Sequence, residues 1–194
     1  MRDYWVRLLV AGFAAMSAAG WFAQGAVALV DTGEQSEARS PLSAFAFLPG
    51  AWSIRPFFPS GDGLTEGRTG ESTIEAVFGG AGYQGTNRIP FHDDDLEMRN
   101  LLTYDAHQEV FRFVALDKGT ATLDVYEGRF EEGALEVDNL RSGVVFVTQD
   151  GRELSFKLRW YDLSDARFRF DVFWSDDRGE TWSLYAEHIY ERRS

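Results

Sequence analysis

Cysteine is absent from this 194-residue chain. That excludes disulfides, thiolate catalysis, cysteine-based zinc sites and lipid attachment through an N-terminal cysteine. A domain without disulfides must rest on its hydrophobic core, and about 150 residues bury enough surface for that. Basic residues are also few: 19 Lys and Arg stand against 31 Asp and Glu, a net charge of −12. Neutralising nucleic-acid phosphates requires a basic surface, so no nucleic-acid partner is expected. Docking of the folded part to anionic lipid is disfavoured for the same reason. Proline is scarce, with 5 residues, and no long amphipathic helical pattern follows the N-terminal segment. No Gly-x-Ser-x-Gly elbow, His-Glu-x-x-His pair or phosphate-cradling loop occurs. The glycine-rich stretch at 79–85 precedes no helix pattern, which argues against a dinucleotide site.

Aromatic residues are abundant: 16 Phe, 6 Trp and 7 Tyr, together with 19 Gly. Aromatics favour strands and build rigid cores, while glycines serve tight turns.

The N-terminus has the pattern of an export signal. Arg2 and Arg7 precede an almost wholly apolar run over residues 8–23, and Ala26-Val27-Ala28 supplies the small-x-small pattern of a cleavage site. Residues 1–28 are expected to be a signal peptide cleaved after Ala28, so that the mature protein is periplasmic or secreted. An uncleaved membrane anchor over residues 8–30 is the competing expectation. Residues 29–41 are polar, lack periodicity and read as a linker. The mature domain, residues 42–194, is not expected to enter the membrane.

From Trp52 onward, short apolar-patterned runs alternate with turn signals. Residues 73–78 put Ile74, Ala76 and Phe78 on one face, and residues 83–89 form the next strand, followed by a polar loop at 90–96. Residues 97–104 place Met98, Asn100, Leu102 and Tyr104 on one side. Further strands are predicted at 110–116, 121–130, 134–140 and 144–147, the last closed by an Asp150-Gly151 hairpin signal. The clearest stripes come last: Leu154, Phe156, Leu158 and Trp160; then Phe168, Phe170, Val172 and Trp174; then Trp182, Leu184, Ala186, His188 and Tyr190. Period two with one polar face marks half-buried antiparallel strands. The fold class read from this is all-β, an antiparallel up-and-down barrel of about 8–10 strands, since closure removes exposed edges. A short helical turn is expected within residues 41–47.

Two motifs carry a family resemblance. One is Phe45-x-Phe47-x-x-Gly50-x-Trp52; the other is Ser175-x-Asp177-x-Gly179-x-Thr181-Trp182, followed by Tyr190-Glu191-Arg192. The chain resembles a bacterial family of lipocalin-like (calycin-type) barrels, often exported and of unknown function. The resemblance implies that Trp52 plugs one barrel end with Arg192 stacked on its ring, a structural pair. The second motif also resembles the Asp-box hairpin of sialidases and other propellers, which implies a structural turn built on Asp177, Gly179 and Trp182; a single copy argues against a propeller. Where relatives carry an apolar or acidic residue after the tryptophan, this chain has Ser53-Ile54-Arg55-Pro56, and Pro56 is expected to end or bulge that strand.

A barrel lumen lined by aromatics with a few polar groups is the usual make-up of a small-molecule pocket. Its candidate polar residues are Asn100, Tyr104, Arg112, Tyr126 and His188. Its candidate walls are Phe113, Phe156, Trp160, Phe170 and Trp174. The expected partner is a small apolar molecule; a lumen filled by its own side chains is the alternative. His188 has two readings: a hydrogen-bonded core histidine, or a haem ligand or acid–base group as in haem-binding calycins. No cofactor other than this haem alternative is expected. Asp93-Asp94-Asp95 with Glu97 offers clustered oxygen ligands for calcium but lacks EF-hand spacing and reads first as solvated loop carboxylates; His92 beside it is only a weak pointer to a transition metal, so no metal site is assigned. His107 sits in a turn. No nucleophile–base set is visible, so catalytic residues are not assigned and a binding role leads over catalysis.

Overall fold

A computed structural model describes residues 40–91 and 94–194. The expected signal peptide and nearly all of the linker lie outside the described residues. A 3-10 helix, Pro41–Phe45, is followed by strands β1 (Gly50–Ser60), β2 (Gly63–Glu66), β3 (Gly70–Val77), β4 (Gly82–Phe91), β5 (Asp94–Asp105) and β6 (Val110–Asp117). Then come β7 (Leu123–Glu131), β8 (Ala134–Asp138), β9 (Phe146–Val147), β10 (Glu153–Tyr161), β11 (Arg167–Ser175) and β12 (Ser183–Arg192).

Ten of these close an antiparallel ring in the order β1, β3, β4, β5, β6, β7, β8, β10, β11, β12 and back to β1. The closing register sets Trp52 opposite Arg192 and Ile54 opposite Tyr190. The two remaining strands are short flaps, β2 on the far end of β1 and β9 on the start of β10. The fold is therefore an up-and-down barrel of the class that alternation predicts.

Alternation turns one face of each strand inward. Trp52 and Ile54 of β1, Phe111 of β6, Leu135 of β8 and Phe168 of β11 are almost wholly buried. Burying each large apolar side chain contributes about 1.5–3 kcal/mol. The 3-10 helix closes the barrel at the end where β1 begins. Its entry is capped by Ser40, whose Oγ accepts from the Leu42 amide at 3.3 Å. Phe45 then meets Phe111 and Phe130 edge-on, at 5.6 and 5.5 Å between ring centroids.

Three local expectations are corrected. Phe78 does not extend the inward stripe: it sits in the β3–β4 turn with φ of 49° and is 95% exposed. Pro56 does not end β1, which runs on to Ser60 with Pro56 buried. Residues 90–96 are not a long loop, because β4 continues to Phe91 and β5 begins at Asp94. Both prolines are tolerated for the same reason. Pairing of β1 with β3 stops at Ile54 opposite Gly70, and pairing of β3 with β4 stops at Glu71 opposite Arg88. Beyond those points each strand lacks its β3 neighbour, so a missing amide donor is tolerated.

The last stripe is also broken. Between β11 and β12 the register shifts after Val172, which faces Ala186, while Phe173 faces Leu184. Tyr185 is the extra residue of a β-bulge.

Candidate functional site

The two ends of the barrel differ. At the closed end the Trp52 indole donates from Nε1 to the Leu48 carbonyl at 2.8 Å. The Arg192 guanidinium lies over the same ring, 4.3 Å from its centroid, and donates to the Pro49 carbonyl at 2.9 Å and to those of Phe47 and Asp165. Gly50, with φ of 140°, leaves room for it: a Cβ there would stand 2.3 Å from Nη1.

Above this plug the lumen is largely filled. Phe113, Trp160 and Phe170 form a continuous aromatic cluster, the rings meeting edge-on and tilted at centroid spacings of 5.0 and 4.7 Å. What remains is a cavity of about 40 Å³ among these rings, Leu102 and the polar groups of Tyr83, Asn87, Asn100 and Tyr190. Asn87 Nδ2 donates to the Tyr190 hydroxyl at 3.5 Å. Asn100 faces Gly85, whose missing side chain makes space for it; a Cβ would lie 2.2 Å from Asn100 Oδ1. A space of this size with several polar partners suits one water molecule. Burial pushes the Tyr126 and Tyr190 hydroxyls well above the ordinary range, so both stay protonated.

His188 is buried beside this cluster, its ring near-parallel to Phe170 at 5.7 Å, with no partner on Nδ1. Burial presses its pKa down to about 4, which leaves it neutral near pH 7. A free nitrogen on a buried imidazole suits haem ligation. The volume does not: a macrocycle needs several hundred Å³, and the lumen holds about 40 Å³. The residues do not fit haem in this packing.

Of the other predicted pocket residues, Asn100, Phe113, Trp160 and Phe170 line the inner cavity. Tyr126 packs on Phe113 at 6.0 Å. Tyr104 packs on Phe111 at 5.0 Å, toward the closed end and away from the cavity. Phe156 and Trp174 face each other across β10 and β11 near the opposite end. Arg112 is a correction: it lies on the outer surface, donating to Glu127 at 2.8 Å, to Asp105 and to Gln108 at 2.8 Å. Its neighbours Phe111 and Phe113 point inward, so the pleat sends Arg112 out.

The opposite end opens into an apolar vestibule of about 610 Å³. Phe58, Phe91, Trp174, Leu184 and Tyr185 form its walls, and Pro59, Pro90, Gly67 and Arg68 complete the rim. Phe58 and Phe91 meet edge-on at 5.6 Å. Gly67 lets the chain settle on this wall, since a Cβ would come within 2.9 Å of the Phe58 ring. The bulge at Tyr185 brings that ring to 6.2 Å from Phe156. Exposed Leu64, Leu123, Phe146 and Val147 stand at strand ends on this same side of the barrel. Sequence reading missed Phe58 and Phe91 because each follows a proline that marked a strand end. The available signal was their position, two residues beyond Pro56 and one beyond Pro90.

The 175–182 hairpin is organised around Asp177. Asp177 accepts from Ser175 Oγ at 2.6 Å, from the Thr181 amide at 2.9 Å and from Thr181 Oγ1 at 2.5 Å. These hydroxyl and amide donors pull its pKa down to about 2. Gly179 takes φ of 87°, and the Lys157 ammonium lies 5.2 Å from the Trp182 ring on the outer face. Nearby on that face, Asp171 is buried and accepts from the Tyr161 hydroxyl at 3.3 Å. Desolvation, then Glu187 beside it, raise its pKa to about 6.

In the acidic run, Asp95 pairs with Arg88 at 2.6 Å and Glu97 with Lys118 at 2.7 Å. His92 and Asp93 lie outside the described residues. His107 is exposed in the β5–β6 turn, where its amide donates to Asp105 Oδ1 at 2.9 Å. Among the described residues, no three His, Asp or Glu side chains converge as a metal site requires.

The chain matches no protein-family model and no curated protein. Among solved structures it is similar to the crystal structure of Rv2717c from M. tuberculosis, with a TM-score of 0.58 and 13% identity, over 80% of this chain and 99% of that one. At that identity the likeness concerns the fold. Two further barrels are similar at lower TM-scores. One is a redesigned β-barrel, at 0.44 with 10% identity over 78% of this chain and 96% of that one. The other is a protein of unknown function from the DUF3598 family of Nostoc punctiforme, at 0.26 with 9% identity over 80% and 100%.

Proposed function

We propose that the protein is a non-catalytic binding protein that takes a small apolar ligand at the barrel mouth rather than deep in the lumen. The observation that carries this reading is the vestibule of about 610 Å³ walled by Phe58, Phe91, Trp174, Leu184 and Tyr185. Such a volume falls in the usual range for ligand pockets, and the inner cavity of about 40 Å³ does not. His188 supports the non-catalytic part: held neutral and without a partner on Nδ1, it is poorly placed to exchange protons near pH 7. The basic start, apolar run and Ala-x-Ala end of residues 1–28 support export to the periplasm or beyond.

The test is a titration with the neutral probe N-phenyl-1-naphthylamine, followed by its fluorescence. Saturable one-to-one binding is expected, weakened roughly tenfold by Trp174→Ala, equivalent to about 1.4 kcal/mol. Binding that ignores Trp174→Ala, or no saturable binding, would overturn the reading.

A second reading, a structural or protein-interaction barrel, draws on the filled lumen and on an aliphatic patch outside β5–β7. Leu101, Val114 and Val125 form one cross-strand row there. Leu116 faces Leu123 in the next, at 41% and 55% exposure. Sedimentation that detects self-association abolished by Leu123→Glu, together with failure of probe binding, would favour it.

A further inference from the structure

The start of β10 projects past the ring at the open end. Pairing of β10 with β11 begins at Ser155 opposite Ser175, and pairing with β8 at Lys157 opposite Asp138. Among the described residues, Glu153 and Leu154 pair only with Val147 and Phe146 of β9. β9 and the head of β10 therefore form a short hairpin beside the vestibule. Its turn is well made: the Thr148 amide donates to the Arg152 carbonyl at 2.9 Å, and the Gly151 amide donates to the Thr148 carbonyl at 2.9 Å.

The hairpin has a firm base and a light hold above it. At the base, buried Asn139 donates from Nδ2 to Asp124 at 2.7 Å and accepts from the Phe156 amide at 2.7 Å, and Ser142 Oγ donates to Asp124 at 3.2 Å. Gly143 follows at once, with φ of 69°. Above it, Arg152 pairs with Asp176 at 3.2 Å while both side chains are about half exposed, and its guanidinium lies 5.8 Å from the Trp174 ring. Exposed pairs of this kind hold their partners weakly, and a two-residue ladder is marginal by itself. The hairpin is thus a formed arm that can tilt where it leaves the ring.

The pleat divides its side chains between two faces. Phe146 and Leu154 share the face of Phe156, while Val147 and Glu153 share the other. Phe146 meets Phe156 edge-on at 6.5 Å, and Phe156 meets Tyr185 of the vestibule wall edge-on at 6.2 Å. A row of rings thus leads from the arm to the wall. Phe146 stands at the end of that row and is still 51% exposed.

We propose that this hairpin is the cover of the mouth site: when an apolar molecule fills the vestibule, the arm tilts over it and Phe146 packs on it. The inference rests on binding at the mouth and adds the element that retains the ligand. An empty vestibule offers the Phe146 ring no surface beyond the edge of Phe156. A filled one offers apolar area next to that ring, so the ligand itself supplies the free energy that favours the tilted state.

Stopped-flow fluorescence with N-phenyl-1-naphthylamine tests the cover. Phe146→Ser should raise the dissociation rate of the probe about tenfold and leave its association rate within about twofold, since a cover slows escape more than capture. Val147→Ser, on the opposite face of the same hairpin, should change neither rate. Both variants should melt like the native protein, because both side chains are exposed. Saturating probe should also slow amide exchange over residues 143–154. An unchanged dissociation rate in Phe146→Ser, an equal rise in Val147→Ser, or amide exchange that ignores the probe would overturn the cover and leave mouth binding standing. Absence of saturable binding to the native protein would overturn the mouth-binding reading as well. A dimer in sedimentation that Phe146→Ser dissolves would make the hairpin an interface between copies instead.

Discussion

Arg192 covers Trp52. The two residues pair across the β1–β12 seam that closes the ring, and the guanidinium sits 4.3 Å from the indole centroid while donating to three carbonyls around the closed end. One side chain thus ties the last strand to the entry segment and to the β10–β11 loop. A cation–π contact of this type contributes about 0.5–2 kcal/mol, before the carbonyl bonds are counted.

Trp52→Ala should therefore cost about 3–5 kcal/mol, since it empties a fully buried site. Arg192→Lys should lower the melting temperature less than Arg192→Ala, because it keeps the charge and loses the fork of donors. Thermal denaturation measures both. An unchanged melt for Trp52→Ala, or equal losses for the two Arg192 variants, would contradict the plug.

His188 should produce an acid-sensitive slope. Its folded pKa of about 4 lies below the ordinary 6.5, so between these values the unfolded chain binds more protons than the folded one. Stability is then lost as pH falls from about 6.5 to about 4, by about 3 kcal/mol in all. Denaturant unfolding across this window should show the slope as the difference between the native protein and His188→Phe. A variant with the native slope would exclude His188 as its source.

Asp171 acts in the opposite sense. Its folded pKa of about 6 lies above the ordinary 3.8, because the carboxylate is buried beside Glu187, and the Tyr161 hydroxyl and the guanidiniums of Arg159 and Arg169 offset only part of this. Its contribution is complete below about pH 3.8 and is lost as pH rises to about 6. Asp171→Asn should stabilise the protein at pH 7, on the order of 1 kcal/mol, and have little effect at pH 3.5. Since the His188 and Asp171 windows overlap, the native pH profile should be flatter than that of either variant. Destabilisation at pH 7 would show that the carboxylate holds the Tyr161 and Arg169 side chains instead.

Gly128 marks a backbone approach. A Cβ there would stand 1.9 Å from the Glu136 carbonyl oxygen and 2.7 Å from Val137 Cα. These are main-chain atoms of β8, so the strand itself must move. Gly128→Ala should cost about 1–3 kcal/mol, with a visible change in amide protection along β7 and β8. A neutral variant would mean that this strand pair adjusts freely.

The inner wall was legible because period two is a local rule. Phe113, Trp160 and Phe170 each stand in an alternating run, and the pleat carried them into the lumen together. Arg112 was misplaced by the same rule applied loosely, since a residue between Phe111 and Phe113 must point the other way. Trp52 and Arg192 could be named as a pair only through a resemblance, because 140 positions separate them and no local pattern measures that distance.

The mouth was not legible. Pro56 and Pro90 read as strand ends, and that reading hid Phe58 and Phe91. Whether a proline stops a strand depends on whether a neighbour needs its amide, and the early end of the β3 pairing removed that need. Tyr185 reached the vestibule wall only through a bulge that shifts β12 by one residue. By itself, then, the sequence determined an all-β chain with alternating faces and an aromatic core, because those features follow from neighbouring residues and their spacing. Only the tertiary structure decided that the core fills the lumen and leaves the space at one end. That outcome depends on how side chains from ten strands share one volume, a sum that no single strand contains.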